Sequence, residues 1–438
     1  MGRSVLLEDQ AQKRIHSLIE KGTWEFGLLI GHLTARRDYV ACLIPTPQDE
    51  NESDGGKIAV DDKWAIEHAK QVMRMLPGGL TVVGVYVVAA PDAARAFQAQ
   101  LRQLVFNTCR ACDRAYELKV GCEMTEEKIS DRIVLQICSS TRKNTCRTLD
   151  ISDQKSTARP AELKIQSFLS KWHRLFCSFY VDNQSIALEK DVLKGNVGAL
   201  YGNLRQRLES LSNSLFLFDG ERKSSDDLIE KSGHHKGKGT EKKEHEVNFF
   251  LPQTFTETSF KSVEASFLVH LQGSIHGCAY VHNKATIGEA VQALREDLTR
   301  SLLARCQLLV EDVRDGGTRL AGGRHGFPRR IFAPLCQGFL SACDYAFRDE
   351  SDKDVVERFK EMLDVEVEAD RLWSEEHFPD SLKEETREEP QTKDTASEPQ
   401  QQTKQQRTSD SAKTSAGFYA IASAVVALLG VLAYVLMT

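Results

Sequence analysis

Three textures alternate along the chain: short runs that are apolar throughout, longer stretches with an apolar residue every three or four positions, and tracts with almost none. Residues 6–20 follow the helical period. FGLLIG at 26–31 and YVACLIP at 39–45 are short and continuously apolar, and read as buried strands. Asp61 or Asp62 caps a helix running to Met75, in which Trp64, Ala65, His68, Ala69, Val72, Met73 and Leu76 fall on one stripe. Pro77-Gly78-Gly79 stops it, LTVVGVYVVA at 80–89 is a further buried strand, and a helix follows from Pro91 or Asp92 to about Cys109. Beyond residue 160 the pattern predicts a strand at 172–181, an amphipathic helix at 197–211 and a hairpin over 263–281. A helix at 287–310 carries Ala290, Val291, Leu294, Leu298, Leu302 and Leu303 on its apolar side, and a strand at 330–334 and a helix at 355–363 complete the set. Strand pairs alternating with helices predict an α+β fold.

The polar tracts divide this pattern. At 438 residues the chain exceeds one ordinary core, which predicts two folded domains. The polar segment 139–160 ends in proline and is the predicted boundary, giving domains at 1–150 and 160–375. Residues 221–246 (ERKSSDDLIEKSGHHKGKGTEKKEHE) predict a long disordered insert in the second domain, and a shorter polar tract lies near 48–57. Residues 381–415, rich in Gln, Glu, Thr, Lys and Ser, predict a disordered tether, because they offer too little apolar surface to offset ordering entropy.

The last segment is the reverse. Residues 418–437 read FYAIASAVVALLGVLAYVLM, with no charge. As a helix this run is long enough to cross the roughly 30 Å hydrocarbon core of a bilayer. Residues 416–438 are therefore the predicted transmembrane tail anchor, with Phe418, Tyr419, Leu428, Leu429, Tyr434 and Met437 as its anchoring residues. Tyr419 and Tyr434 stand near opposite ends, where aromatic belts form. Lys404, Arg407 and Lys413 precede the span and only Thr438 follows it, an asymmetry that predicts a cytosolic body. No basic cluster follows the span, which favours the endoplasmic reticulum.

Composition changes little in this picture. The net charge of −6 lacks the basic surplus of a nucleic-acid binder. The 11 cysteines are odd in number and scattered, unlike a disulfide framework, and no apolar leader follows Met1. Leu6 stands where a myristoylation signal needs Ser or Thr. The sequons at Asn51 and Asn183 are expected to stay bare on the cytosolic side.

The phrases WEFGLLIG and VVGVYVVAAP, in this element order, resemble the MPN fold of metalloprotease-like isopeptidases. The resemblance implies an α/β N-terminal domain and a set of zinc positions. In active members a Glu lies three residues before the first strand's Gly, a His-x-His-Pro run ends the later strand, and an Asp follows. Here Trp24 stands three before Gly27, and Glu25 is one residue late, which on a strand points it to the opposite face. The two His positions fall at Val87 and Ala89, and the acid position at Gln100. With the ligand positions vacant the resemblance implies a pseudoenzyme with no metal or other cofactor, suited to pairing with another domain of its type.

Three other groupings were weighed. Cys109 and Cys112 have Cys-x-x-Cys spacing without a second pair, and read as packed thiols. His270, His276, Cys278 and His282 share parity in the predicted hairpin. They read as a half-buried sheet face; the alternative is a cryptic cysteine hydrolase using Cys278 with His276 or His282. The Gly-rich, basic stretch 316–326 lacks Gly-Lys-Ser/Thr and reads as a flexible loop.

FGLLIGHLTARRDYV, EHAKQVMRMLPGGLTVVGVY, GSIHGCAYVHNKATIGEAVQALREDL, PRRIFAPL, ACDYAF and ERFKEMLD, followed by a tail anchor, together resemble the odorant-response-abnormal-four (odr-four) family. That resemblance implies a non-enzymatic adaptor at the endoplasmic reticulum membrane. Its implied partners are a subset of G-protein-coupled receptors, whose folding and trafficking it supports, and a ubiquitin-fold-modifier protease, which it recruits. The residues themselves predict a cytosolic, metal-less, bilayer-tethered scaffold, compatible with both.

Overall fold

The computed structural model describes residues 3–22, 24–48, 58, 60–115, 129–189, 211, 213–230, 243–250, 265–314, 324–326 and 328–376, all within one compact unit, Met1–Arg387. Residues 197–210 of the expected helix at 197–211, the tether and the tail anchor lie outside the described residues. Among the described residues no helix is long and apolar enough to cross a membrane.

The N-terminal half is built on one sheet. Its strands are β1 (Ser4–Leu7), β2 (Glu25–Leu33), β3 (Arg37–Pro45), β4 (Thr81–Ala89), β5 (Asp131–Cys138), β6 (Asn144–Asp150), β7 (Arg159–Pro160) and β8 (Glu162–Ile165). The order is β7-β6-β5-β4-β2-β3-β1-β8. Because β7 and β8 are separated only by Ala161, the same stretch pairs with β6 at its start and with β1 at its end. The sheet thereby closes on itself, which leaves few unpaired edges. A cluster drawn from nearly every strand, including Val5, Leu29, Val40, Tyr86, Val88 and Ile133, packs against Ala11, Ile15, Leu18 and Ile19 of α1 (Asp9–Lys21). The opposite face packs α2 (Asp62–Arg74) and α3 (Pro91–Ala115). Asp61 caps α2 as its sequence predicts, accepting from the backbone N–H of Lys63 and Trp64.

The polar segment 139–160 is not a linker: it supplies β6 and β7. On β6, Cys146 packs into the α1-side cluster and Leu149 into the cluster of the opposite face, while Arg147 and Asp150 stay half-buried.

The second half is built on β9 (His173–Glu189), β10 (Leu215–Phe218), β11 (Glu244–Phe250), β12 (Ala265–Val281) and β13 (Arg324–Gly326), in the order β10-β11-β9-β12-β13. The expected hairpin over 263–281 is instead the single strand β12, antiparallel to β9 along its length with irregularities at Ala265/Phe267 and Leu271/Gly273. Gly277 suggests a turn but serves packing, since a Cβ there would lie 2.8 Å from Cys177 Sγ and 2.9 Å from Leu298 Cδ2. α4 (Ile287–Arg314) lies on that face. A ribbon of β14 (Arg329–Leu335) and β15 (Leu340–Ala346), then α5 (Asp352–Leu363), join the core of the first sheet. His68 of α2 links to α5 through Met362 O at 2.9 Å.

The ends of the predicted disordered insert 221–246 are ordered. Ile229 N donates to Ala285 O and Ile287 N to Asp227 O, and Glu244–Phe250 is β11. Ile229, packed against the second core, gives this polar stretch the apolar foothold that its average composition conceals.

Candidate functional site

The positions to which the MPN resemblance assigns zinc ligands hold core side chains. Val87 and Ala89 are fully buried on the β4 face that packs α2 and α3. Gln100, on α3, donates to Val60 O at 2.8 Å and Asp62 Oδ1 at 2.7 Å, tying two helices together. Glu25 faces the other way: it accepts from Tyr86 OH at 2.5 Å, and Tyr86 belongs to the α1-side cluster. The register confirms the parity argument, with Glu25 opposite Val88 and Phe26 opposite Val87. These residues are therefore not brought together. Cys109 and Cys112 are buried on α3, and burial pushes the Cys109 thiol up to about 12, the behaviour of packed sulfur.

The grouping around Cys278 is also divided. Cys278 is fully buried, and burial raises its thiol despite the Arg174 guanidinium beside it. Arg174 and Tyr280 lie beside it. His276 bonds Ser178 Oγ at 2.9 Å and stacks on Phe176. His282 stacks on Tyr39 and meets His32, from the first sheet. Burial, then His32, lowers its pKa to about 4. A buried protonated thiol whose neighbours are a guanidinium and a phenol is a poor nucleophile. His270 lies on the same strand.

What the strand does assemble is a polar clasp (Asp297, Arg330, Arg305 and Glu376) that the sequence did not announce. Arg330 of β14 grips Asp297 of α4 in a two-pronged pair at 2.7 and 2.8 Å, both side chains 1% exposed. Asp297 also accepts the backbone N–H of Cys278 at 2.8 Å and of Gly78 at 2.9 Å. Gly78 and Gly79 can approach this closely because they lack Cβ: at Gly78 it would meet Ala293 O at 2.2 Å, and Gly79 has φ +75°. Two helix turns further on, Arg305 pairs with Glu376 at 2.6 Å, and Glu376 also accepts from His276 N and Arg330 N, each at 2.9 Å. Burial alone would raise the Glu376 carboxyl, but Arg305 and these N–H groups hold it below the usual range. The clasp thus joins the loop after α2, β12, α4, β14 and the segment at 373–376. Asp297, Ser301 and Arg305 recur every four residues beside the apolar stripe of α4, the signal in the sequence that could have found them.

A second missed group is a relay. His245 bonds Asp219 at 2.7 Å through Nδ1 and His173 at 3.1 Å through Nε2. Burial and the neighbouring His245 lower His173 to about 4. Among the described residues no cluster of three or more His, Cys, Asp or Glu is arranged to hold a metal ion.

Fold and site together define a class: a mixed α+β protein whose buried charges bind its own elements together. The family Odorant response abnormal 4-like matches residues 27–374. The chain is similar to the protein odr-4 homolog of Mus musculus, 34% identical over 396 residues and covering 85% of each chain, and to that of Homo sapiens, 33% identical over 403 residues with the same coverage. It is also similar to odorant response abnormal protein 4 of Caenorhabditis elegans, 23% identical over 353 residues, covering 76% of this chain and 70% of that one. A crystal structure of UfSP from C. elegans aligns with a TM-score of 0.43 at 10% identity, over 83% of this chain and 57% of that one. The chain belongs to the odorant response abnormal 4-like family.

Proposed function

We propose that this protein is a non-enzymatic adaptor, held at the endoplasmic reticulum membrane by residues 416–438, with its body in the cytosol. In this reading it supports the folding and delivery of a subset of G-protein-coupled receptors, odorant receptors among them, and recruits a ubiquitin-fold-modifier protease to the same membrane. The observation that carries the receptor role is family membership across most of the body, with a relative named for an odorant response. The apolar, charge-free run at 418–437 supports the anchor. The MPN-like reading of residues 1–150 supports a pairing surface for the protease, since Val87 and Ala89 give that domain core packing in place of ligands. Residues 381–415 act as a flexible tether of roughly 30 Å root-mean-square reach, which concentrates a bound partner near the bilayer.

The test is to express the chain with and without residues 416–438 and to follow it together with the protease. The protease co-purifies with both forms, and both proteins become soluble when the segment is removed. Loss of protease binding with the segment, or a protease that stays membrane-bound without it, contradicts the reading. A glycosylation sequon appended after Thr438 is modified, whereas Asn51 stays bare; a modified Asn51 reverses the topology.

A further inference from the structure

Cys42 and Cys336 are brought close together at the junction between the first sheet and the β14–β15 ribbon. Cys42 lies on β3 just after an irregularity in its pairing with β2, where Ile30 faces Cys42 and Gly31 faces Val40, so Ala41 is unpaired with that neighbour. On its other side β3 has run past the end of β1, whose last partner is Val40. The turn of the ribbon covers this exposed stretch. Cys336 Sγ reaches Ala41 O at 3.9 Å, the carbonyl of the residue that precedes Cys42. Both cysteines are partly exposed, and both pack at the margin of one core cluster.

The backbone of the turn carries a second, independent signal. Cys336 has φ +51°, Gln337 φ +57° and Gly338 φ +89°. Two consecutive non-glycine residues in the left-handed region are strained, and such strain persists where surrounding structure holds it. Here Gln337 is held by a side-chain hydrogen bond to Gln10 of α1 at 2.9 Å. The conformation that results keeps the Cys336 sulfur near Cys42.

We propose that Cys42 and Cys336 form a reversible disulfide that staples the ribbon to the first sheet under oxidising conditions. Hydrogen peroxide oxidises one sulfur to a sulfenic acid, releasing one water. The neighbouring thiol then displaces the sulfenic oxygen, forming the S–S bond and releasing a second water. Two thiols and one peroxide thus give one disulfide and two waters, with the peroxide oxygens reduced. A dithiol reductant reverses the step by exchange. The contrast within the chain is Cys138, which is more exposed and whose thiol is lowered by the Thr141 hydroxyl and backbone. It reacts with small electrophiles, but no second thiol is placed beside it in the described structure.

The experiment uses the full chain in detergent-solubilised membranes, titrated with hydrogen peroxide, quenched with an alkylating agent and digested without reductant. The expected result is a crosslinked peptide pair containing Cys42 and Cys336, appearing at lower peroxide than any other pair and lost on dithiothreitol treatment. The intact chain is lighter by two hydrogens, and Cys42→Ser abolishes the pair while leaving Cys336 alkylated. Recovery of both cysteines as free alkylated thiols at peroxide levels that oxidise Cys138 would overturn the proposal, as would their separate conversion to sulfinic acids. Because the readout on the unmodified chain needs no variant, misfolding of a mutant cannot mask the answer.

Discussion

The two halves of the body bury their interiors by different means. Around β4 the first sheet is closed with hydrocarbon: Val85, Val87 and Ala89 lie against α2 and α3 without a charge among them. Around β12 the interior holds two ion pairs, Asp297–Arg330 and Arg305–Glu376. The first is forgiving, since burial energy there is spread over many small contacts. The second is not, because desolvated charges are stable only while every partner is present. The apolar region has packing for its content, and the charges of the second, which the sequence reading did not single out, join its elements.

The sharpest break is to remove one charge. Asp297→Ala leaves Arg330 buried without its counterion and the Gly78 and Cys278 N–H groups without their acceptor, and costs about 3–5 kcal/mol. Chemical denaturation measures it; a loss under about 1 kcal/mol would show that the clasp holds nothing. Placing histidines at the vacant zinc positions, Val87→His with Ala89→His, costs about 2–4 kcal/mol by burying unpaired imidazoles, and added zinc does not restore it. Glu25 remains on the opposite face, bonded to Tyr86. Zinc rescue of the melting temperature would mean that the site is intact after all.

Acid separates the regions in a third way. His173 and His282 are held near 4 in the folded chain, whereas an unfolded histidine titrates near 6.5. The unfolded state binds more protons between these values, so stability falls as pH drops from about 6.5 towards 4. The loss is on the order of 2 kcal/mol per histidine at pH 5. Glu376, whose folded value is lowered, contributes stability that is lost only at lower pH, below the ordinary glutamate range. Thermal melts at pH 7 and 5 check the sign, and His282→Gln flattens the difference.

The legible part of the fold was the part with period. The α2 stripe, the β2, β3 and β4 runs and the apolar side of α4 carry uninterrupted signals, and each element stands where its pattern places it. β1 is four residues long and merges into the helix that follows. β6 and β7 are short and carry polar and charged residues between a few buried ones, so they resemble linker. β12 contains glycines that mimic a turn, because local composition cannot distinguish a glycine that bends the chain from one that admits a neighbour. The parity of Glu25, opposite to that of the residues packed under α2 and α3, was readable because it depends only on counting along a strand. The clasp was not, because Arg330 and Glu376 are distant in sequence from Asp297 and Arg305, and nothing local says that they meet.

The smallest effect tests the central claim most directly. Cys278→Ala removes the only thiol that a hydrolase reading could use on β12 and costs about 1 kcal/mol of packing. In cells lacking the protein, surface delivery of a co-expressed odorant receptor is measured after restoring the full chain, the Cys278→Ala chain or a chain ending at residue 415. An adaptor predicts full delivery with Cys278→Ala and none with the shortened chain. Failure of a normally folded Cys278→Ala chain, or delivery by the chain ending at 415, would contradict the account.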